Sequence, residues 1–486
     1  MVSLYYLYRF LKFAKGLFNE LEEDEIEFNV PLAEFLEKIS GCFHSKESLL
    51  SAPITNRDRK IIMDELGLAG EKYRMHAYQG DIARRTIISK FKISEFIDIS
   101  IKFIEHSIIC NKRKDGLYHS YNLVHIKNNE ARIAHLYEML EGQVAVLSSG
   151  YLSADEASHL MGALKSSAMF RSDQYSYLLY PNRRLAGFLE KNTIPKEFIA
   201  SSKLAEKLLA NNSLSIFEKD IDGNFHFNGT FHNSSDLKLA LNNLSKGTYK
   251  KLVDEEFDSY LEVFEKMFDH KAFTGRSGTF YAYEGLGSIY WHMVSKLLLS
   301  VQENIYKAEK DQADKQVMGH LIDHYYEVRA GIGINKTPDL YGAFPTDAYS
   351  HTPGNAGAQQ PGMTGQVKED VINRWAELGL VVQDGAILFD PVFIKKEEFL
   401  DAEKNFDYYA LNNEKIRLVI PPNCMAFSYC QVPIIYRLGE KEMIEIYYQD
   451  DSIKTMEANA LSIEDSMSVF KRKDKINKIR FTFFIP

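Results

Sequence analysis

The sequence has few tryptophans, prolines and cysteines, no long apolar run and no excess of positive charge. It contains 2 Trp, 13 Pro and 4 Cys among 486 residues. The 58 Lys and Arg are outnumbered by 67 Asp and Glu, and the formal net charge of −9 argues against the basic face that nucleic-acid binding requires. A transmembrane helix needs a run of about eighteen or more apolar residues. Because the sequence has no such run, we predict no membrane span.

The cysteines and the N-terminal segment indicate a cytoplasmic protein. The cysteines form neither a CxxC motif nor a cluster with histidine, so we expect reduced thiols and no metal site. Residues 1–21 contain Arg9, Lys12 and Lys15 and therefore lack the uninterrupted apolar segment of a signal peptide. The apolar residues of this segment recur at helical spacing, which predicts a packed amphipathic helix.

Tyrosine and phenylalanine are abundant, with 28 and 31 copies, and the hydrophobic fraction of 45% is that of a globular protein. Aromatic side chains suit uncharged, polyhydroxylated ligands such as sugars, but they also fill large cores, and composition alone favours the core. Because domains of about 150 residues are typical, the length indicates two or more structural units.

The pattern along the chain predicts a mainly helical domain over residues 1–380 and a β domain over residues 381–486. Apolar stripes at helical spacing occur over 94–110, 136–147, 155–166, 235–244, 248–268, 286–301, 315–328 and 365–378. After Gly379 the chain consists of short β-branched and aromatic runs separated by turn residues, which predicts a small sandwich or cap. The runs are 381–391, 415–422, 426–436, 443–450 and 478–485. Long polar loops between the helices suggest paired helices wound into a toroid with a site at its open end.

The first candidate site segment is 169–177, in which Asp173 lies between Arg171 and Gln174 and is followed by tyrosines. A carboxyl group among aromatic rings can have its pKa raised enough to act as a general acid. The alternative is a loop aspartate that caps the next segment or pairs with Arg171, and from these residues alone the alternative is favoured.

Two further segments combine glycine with polar side chains before a predicted helix. Residues 274–292 contain Glu284, which is a candidate acid or base or a partner of the helix dipole. They also contain His292, which lies within the helix, where a core histidine is the commoner explanation. In residues 359–370, Thr364 and Gly365 fall at the first turn of a helix, where free backbone N–H groups bind phosphate or where Thr364 is an ordinary N-cap. No nucleotide-binding glycine motif is present.

Several strings resemble the inverting glycoside phosphorylases of the cellobiose phosphorylase family, glycoside hydrolase family 94. The Thr364-Gly365 pair, the following helix, ELG at 377–379 and DGAILFDP at 384–391 resemble the end of these enzymes. Longer strings bring the chain nearest to the 1,2-β-oligoglucan phosphorylases: DGLYHSYN at 115–122, LYEMLEGQVAVLSSG at 136–150, GLGSIYWH at 285–292 and YGAFPTD at 341–347. The resemblance extends from about residue 80 onward.

The resemblance implies an (α/α)6 toroid with a C-terminal β unit that phosphorolyses β-1,2-linked glucooligosaccharides to α-D-glucose 1-phosphate with inversion. Inorganic phosphate is the co-substrate, and no cofactor is expected. Asp173 matches the general acid, and the phosphate ligands are expected to be His292, Thr364, Gly365 and an arginine, either Arg57 or Arg171. The remaining substrate contacts are expected at Arg171, Gln174, Tyr283, Asp115, Tyr118 and Asp347.

The chain differs from this family in starting almost at the toroid, without a large N-terminal β-sandwich. We therefore expect a fragment, a shortened homologue or half of a split enzyme, with a homodimer or a complementary N-terminal chain as its partner. Two rival hypotheses remain. One is an inverting hydrolase with Glu284 or Asp347 as base, and the other is a non-catalytic sugar-binding or regulatory chain.

Overall fold

The computed structural model describes residues 1–182, 186–268, 289–332, 336–337, 351–352, 367–473 and 475–485. The chain forms two compact units. The first comprises Met1–Leu152, His159–Val294 and Gly333–Pro361. The second comprises Ser153–Ser158, Ser295–Ile332 and Gly362–Pro486. The boundary predicted at residue 380 divides the chain differently and stays a prediction.

The described residues contain fifteen α-helices, so the expectation of a mainly helical protein is confirmed, whereas the toroid stays a prediction. The helices are α1 (Val2–Glu20), α2 (Val30–Ser45), α3 (Asn56–Gln79), α4 (Lys90–Cys110), α5 (Leu140–Ser148), α6 (Ala154–Lys165), α7 (Phe188–Lys191), α8 (Lys196–Ser201), α9 (Lys203–Ala210), α10 (Ser234–Leu244), α11 (Lys250–Phe268), α12 (Trp291–Lys310), α13 (Lys315–Ala330), α14 (Val367–Glu377) and α15 (Ile463–Phe470). Among the described residues, no helix is both long and apolar enough to cross a membrane.

The strands form short hairpins and one larger sheet. They are β1 (Glu25–Asn29), β2 (Arg85–Ser89), β3 (Asn122–Lys127), β4 (Glu130–His135), β5 (Phe170–Arg171), β6 (Ser176–Tyr177), β7 (Phe217–Lys219), β8 (Phe225–Phe227), β9 (Ile289–Tyr290), β10 (His351–Thr352), β11 (Leu380–Gln383), β12 (Ala386–Phe389), β13 (Lys404–Tyr409), β14 (Lys415–Ile420), β15 (Cys424–Tyr429), β16 (Val432–Leu438), β17 (Met443–Tyr448), β18 (Ile453–Met456) and β19 (Ile476–Phe483). The pairs β1–β2, β3–β4, β5–β6, β7–β8, β9–β10, β11–β12 and β13–β14 are two-stranded.

The N-terminal helix of the first unit is amphipathic, as its apolar spacing predicts. It buries Tyr5, Tyr8 and Leu11 and packs on α4 and α5. The phenolic hydroxyls find partners: Tyr5 donates to the carbonyl oxygen of His119 at 3.2 Å, and Tyr8 donates to Glu105 Oε1 at 3.1 Å. The hairpin β3–β4 interrupts the helical pattern that the sequence predicts for this part of the chain.

One part of the first unit, from α7 to α11, has a hydrophobic core of its own. Its buried side chains all fall between Ile194 and Phe268, and they include Leu208, Leu241 and Phe264. The hairpin β7–β8 contributes aromatic rings to this core, with Phe227 against Phe264 at 5.0 Å between ring centroids. The segment therefore buries its apolar residues largely against itself.

The second unit contains the C-terminal sheet, with strand order β15-β16-β19-β17-β18. Neighbouring strands are antiparallel except β16 and β19, which are parallel. Its core joins sheet residues such as Tyr436 and Phe481 to Phe389 of the β11–β12 hairpin and Val469 of α15. The short strands predicted after Gly379 are confirmed, and the sandwich arrangement stays a prediction.

The end of α14 is fixed within the second unit by a buried carboxylate. Glu377 is fully covered and accepts hydrogen bonds from Tyr325 Oη at 2.7 Å and from Arg374 Nη1 at 2.7 Å. Arg329 Nε lies 3.0 Å from the same carboxylate. Gly379, which has φ +65°, then turns the chain into β11.

Candidate functional site

Asp173 lies at the tip of a small hairpin in the first unit. Arg171 of β5 pairs with Ser176 of β6, and the backbone N–H of Gln174 donates to the carbonyl oxygen of Arg171 at 3.3 Å. Tyr175 completes the turn with φ 49°, in the left-handed region that non-glycine residues seldom occupy. The turn therefore presents residues 172–175 together at one end of the hairpin.

The carboxylate of Asp173 forms a forked ion pair with Arg171. Nε lies 2.9 Å from Oδ1 and Nη2 lies 2.9 Å from Oδ2. The Arg171 side chain is 10% exposed, whereas that of Asp173 is 51% exposed. The hydrogen bonds from Arg171 hold the pKa of Asp173 below its ordinary value, and this effect exceeds the opposing effect of burial.

The hypothesis of a raised pKa for Asp173 is therefore wrong for the side chain as the structure places it. The nearby tyrosines do not enclose the carboxylate, because half of it remains in water, and Arg171 supplies a direct opposite charge. The alternative of a pair with Arg171 is confirmed. A proton donor at this position must first separate from the guanidinium.

Two polar atoms of the hairpin are buried and have no hydrogen-bond partner among the described residues. They are Arg171 Nη1 and Ser176 Oγ, on residues that lie opposite each other in the pairing of β5 with β6. Buried donors of this kind are costly unless they are paired. The hairpin thus retains hydrogen-bonding capacity beside Asp173.

Lys336 belongs to this site, although the sequence analysis did not identify it. Its side chain is buried, its ammonium donates to the backbone oxygen of Gln174, and Nζ lies 3.3 Å from Gln174 Oε1. The ammonium also lies 5.0 Å from the centroid of the Trp291 ring. Burial lowers the pKa of Lys336 to about 8, Arg171 acts in the same direction, and Asp173 opposes them. No motif surrounds Lys336 in the sequence, so only the fold identifies it.

His292 lies at the start of α12, next to Trp291. The preceding strand β9 pairs with β10 and lies against β6 of the Asp173 hairpin. The His292 ring is half-buried and packs edge-on against Tyr290, with 5.7 Å between ring centroids. The structure therefore brings the elements that carry Asp173, His292 and Lys336 together within the first unit.

The remaining predicted residues that the structure describes lie elsewhere in the first unit. Arg57 is exposed on the first turn of α3, and no described hydrogen bond or ion pair joins it to the Asp173 hairpin. Asp115 pairs with Arg113 at 2.7 Å, which lowers the pKa of its carboxyl group.

Tyr118, a predicted substrate contact, lies in the core of the first unit. It is 3% exposed, and its ring packs edge-on against Tyr5 with 6.4 Å between centroids. Its backbone N–H donates to Gln143 Oε1 at 2.9 Å, as expected of a core residue. The predicted contact between the Tyr118 ring and a glucan is therefore not supported.

Four predicted site residues, and one candidate base of the rival hydrolase, lie outside the described residues. They are Thr364, Gly365, Tyr283, Asp347 and Glu284. The described part of the site thus consists of the Asp173 hairpin, the start of α12 and Lys336.

The comparison with known families gives one match. Residues 185–271 match the family described as GH149 phosphorylase insertion domain 2. This stretch coincides with the part of the first unit that has its own core, between Ile194 and Phe268. No curated protein matches the chain.

The match supports a phosphorylase-like protein related to glycoside hydrolase family 149 and, with it, a carbohydrate-related function. The sequence resemblance to phosphorylases is confirmed at the level of a phosphorylase-like protein. The assignment to family 94 and to the β-1,2-glucan enzymes is not supported by the match and stays a prediction.

Proposed function

We propose that this protein is an inverting glycoside phosphorylase that cleaves β-1,2-linked glucooligosaccharides and releases α-D-glucose 1-phosphate. The match of residues 185–271 to a phosphorylase insertion domain carries the proposal. The grouping of Asp173, Arg171 and His292 in the first unit supports it, because it joins an acid with cationic or polar groups that bind anions. Inorganic phosphate is the co-substrate, and the reaction requires no further cofactor.

In the proposed reaction, Asp173 gives its proton to the glycosidic oxygen of the leaving sugar. A phosphate oxygen attacks the anomeric carbon from the opposite face, so the C–O bond to phosphate forms as the glycosidic C–O bond breaks. His292, Thr364, Gly365 and an arginine are the proposed phosphate ligands. Arg171 and Gln174 are proposed to contact the sugar, since both flank Asp173 on the turn.

The ion pair between Arg171 and Asp173 implies an exchange of partners when the glucan binds. While the pair is intact, Asp173 is ionised and cannot donate a proton. Sugar hydroxyl groups that accept hydrogen bonds from Arg171 weaken its hold on the carboxylate. The pKa of Asp173 then rises, and the carboxyl group can protonate and act as an acid.

The substitution Asp173→Asn tests the assignment of the acid. General acid catalysis typically contributes a factor of about 10² to 10⁴, so kcat for phosphorolysis should fall by about that much while the KM for phosphate changes little. Asp407→Asn is the matched control, because Asp407 also pairs with an arginine, Arg417 Nε at 2.7 Å, but lies in the C-terminal β region. If Asp173→Asn retains the wild-type kcat, Asp173 is not the acid.

An inverting hydrolase is the second candidate function, in which Asp173 remains the acid and Glu284 or Asp347 is the base that activates water. Both candidate bases lie outside the described residues. The two functions differ in one observable: a hydrolase releases free glucose at the same rate with and without phosphate.

A further inference from the structure

Lys336 is the only lysine or arginine among the described residues that is buried, with 6% of its surface exposed. A buried ammonium loses its hydration and is tolerated only where other groups compensate for that loss. Here the compensation comes from two oxygens of Gln174 and from the face of the Trp291 ring. Both contacts involve elements of the candidate site.

These contacts connect the two halves of the described site. Gln174 immediately follows Asp173 in the turn, and Trp291 immediately precedes His292 at the start of α12. The carbonyl and side-chain oxygens of Gln174 hold the ammonium, at 3.3 Å for Oε1, and the centroid of the indole ring lies 5.0 Å from it. A single side chain therefore bridges the turn that carries the proposed acid and the helix that carries the proposed phosphate ligand.

We propose that Lys336 is a positioning residue that clamps the Asp173 turn onto the start of α12. The clamp fixes the separation between the Asp173 carboxyl group and the His292 imidazole. The consequence for phosphorolysis rests on the proposed function, whereas the clamp itself does not. Because proton donation and phosphate attack occur on opposite faces of one sugar, a fixed separation favours a productive geometry.

The charge of Lys336 determines the strength of the clamp. Among the described residues, Arg171 and Asp173 on the hairpin are the charged groups that act on the ammonium, and Tyr290 and His292 are the chain neighbours of Trp291, whose ring the ammonium faces. Burial and Arg171 bring the pKa of Lys336 to about 8. The neutral amine still donates a hydrogen bond, but it loses the attraction to the indole face and the charge-assisted bond to Gln174. The clamp should therefore weaken as the pH rises through about 8.

The fluorescence of Trp291 tests the clamp without any enzymatic assay. The chain has two tryptophans, so Trp375→Phe leaves Trp291 as the only one. In this background, the emission of Trp291 should change with pH with a midpoint near 8. The additional substitution Lys336→Met should remove that transition, and Lys310→Met, at the exposed far end of α12, should retain it. The clamp is overturned if the transition is absent from the Trp375→Phe protein or persists with Lys336→Met.

Steady-state kinetics test the consequence for catalysis. Lys336→Met should lower kcat at pH 7 at least about tenfold, in line with the sensitivity of catalysis to small misplacements. Lys336→Arg, which stays charged at all accessible pH values, should restore part of kcat and move the alkaline loss of activity to higher pH. Wild-type kcat and an unchanged alkaline limb in Lys336→Met would overturn a positioning role. If the wild-type protein has no phosphorolytic activity, the proposed function fails, while the fluorescence titration still decides the clamp.

Discussion

At the scale of single residues, the site depends on which acceptors the guanidinium of Arg171 binds. Arg171 donates hydrogen bonds to Asp173 from Nε and Nη2, and its third nitrogen, Nη1, is buried with no partner in the part of the chain that the structure describes. The first contact stabilises the ionised acid, and the unused nitrogen makes the arginine ready to bind a further acceptor. This arrangement is consistent with an exchange of the carboxylate for a substrate hydroxyl.

Replacing Arg171 should shift the pH dependence of the reaction. The pKa of Asp173 is lowered chiefly by Arg171, so Arg171→Gln should raise it and increase the protonated fraction at a given pH. A general acid works below its pKa, and the alkaline limb of kcat/KM should therefore move to higher pH. Arg417→Gln, which breaks the pair with Asp407, should leave the limb in place. An unmoved limb in Arg171→Gln would contradict the assignment.

His119 should make the first unit sensitive to acid. Its ring stacks on His135 at 3.9 Å between centroids, and burial, followed by His135 and Arg113, lowers its pKa to about 4. An unfolded histidine titrates near 6.5, so this contribution to stability is complete above pH 6.5 and is lost as the pH falls toward 4. Between pH 7.5 and 5, we expect wild type to lose on the order of 1 kcal/mol more than His119→Gln, allowing for partial exposure.

Thermal unfolding at the two pH values measures this difference. His125→Gln is the matched control, because His125 is exposed on the neighbouring strand β3. The control should lose as much stability on acidification as wild type does. Equal losses in wild type and His119→Gln would show that His119 is not the responsible group.

At the scale of elements, the turns decide which strands the sequence predicts. Asp384-Gly385, with φ of 50° and 80°, is a typical hairpin turn, but the sequence prediction has one run over 381–391 where the structure has β11 and β12. Asn128 and Asn129 also both have positive φ. Because asparagine tolerates this conformation, the Asn-Asn pair is a sequence signal that could have identified the β3–β4 hairpin. Cys430-Gln431 also has positive φ at both residues, but neither residue type signals such a turn. The sequence therefore predicts one continuous run over 426–436 where the structure has β15 and β16.

Helix positions are predicted more closely than strand positions, except where contacts with distant segments override the local apolar periodicity. The predicted helices at 94–110, 235–244 and 315–328 correspond to α4, α10 and α13 within a few residues. The apolar stripe over 136–147 becomes helical only at Leu140, because the residues before it bond to other segments, as Leu136 N does to the oxygen of Tyr121 at 3.3 Å. Local periodicity carries no information about that contact.

Gly379 should be essential for the connection between α14 and β11. A Cβ at this residue would overlap the backbone of Asp390 and Pro391, and φ is +65°. Gly379→Ala should therefore cost about 2 kcal/mol or more, from the left-handed backbone and the steric overlap together. Gly385→Ala is the matched control: its φ is +80°, and the position has open space around it, so about 1 kcal/mol is expected. Calorimetric unfolding measures both, and equal losses would contradict the steric argument.

At the scale of the whole molecule, the structural units differ from the two domains that the sequence predicts, 1–380 and 381–486. The helices from α7 to α11 resemble their neighbours in periodicity, so the sequence predicts one continuous helical domain over 1–380. The structure gives these helices a separate core, and the same stretch matches a phosphorylase insertion domain. A core boundary depends on which apolar faces meet, and periodicity does not reveal that.

Sequence patterns are local and do not reveal contacts between distant residues, and this explains how much of the site the sequence predicts. Arg171, Asp173 and Gln174 are adjacent in the chain, so the sequence identifies them together. Lys336 lies 162 residues from its partner Gln174 and belongs to no motif. A contact between residues so far apart depends on the fold, and a single sequence does not indicate it.

The part of the first unit from α7 to α11 should fold on its own. Its buried residues, from Ile194 to Phe268, contact one another in one contiguous core. We expect a fragment of residues 185–271 to show helical circular dichroism and a cooperative thermal transition. A fragment of 94–182 lacks α1, on which α4 and α5 pack, so it is the control and should not show a cooperative transition. An unfolded 185–271 fragment would contradict the independence of this core.

The phosphate dependence of glucan cleavage tests the central proposal most directly. Purified protein is incubated with β-1,2-linked glucooligosaccharides, with and without inorganic phosphate, and both glucose 1-phosphate and free glucose are measured. We predict that glucose 1-phosphate forms only when phosphate is present and that little free glucose appears without it. Free glucose released at the same rate in both conditions, with no glucose 1-phosphate, would contradict the account and identify a hydrolase.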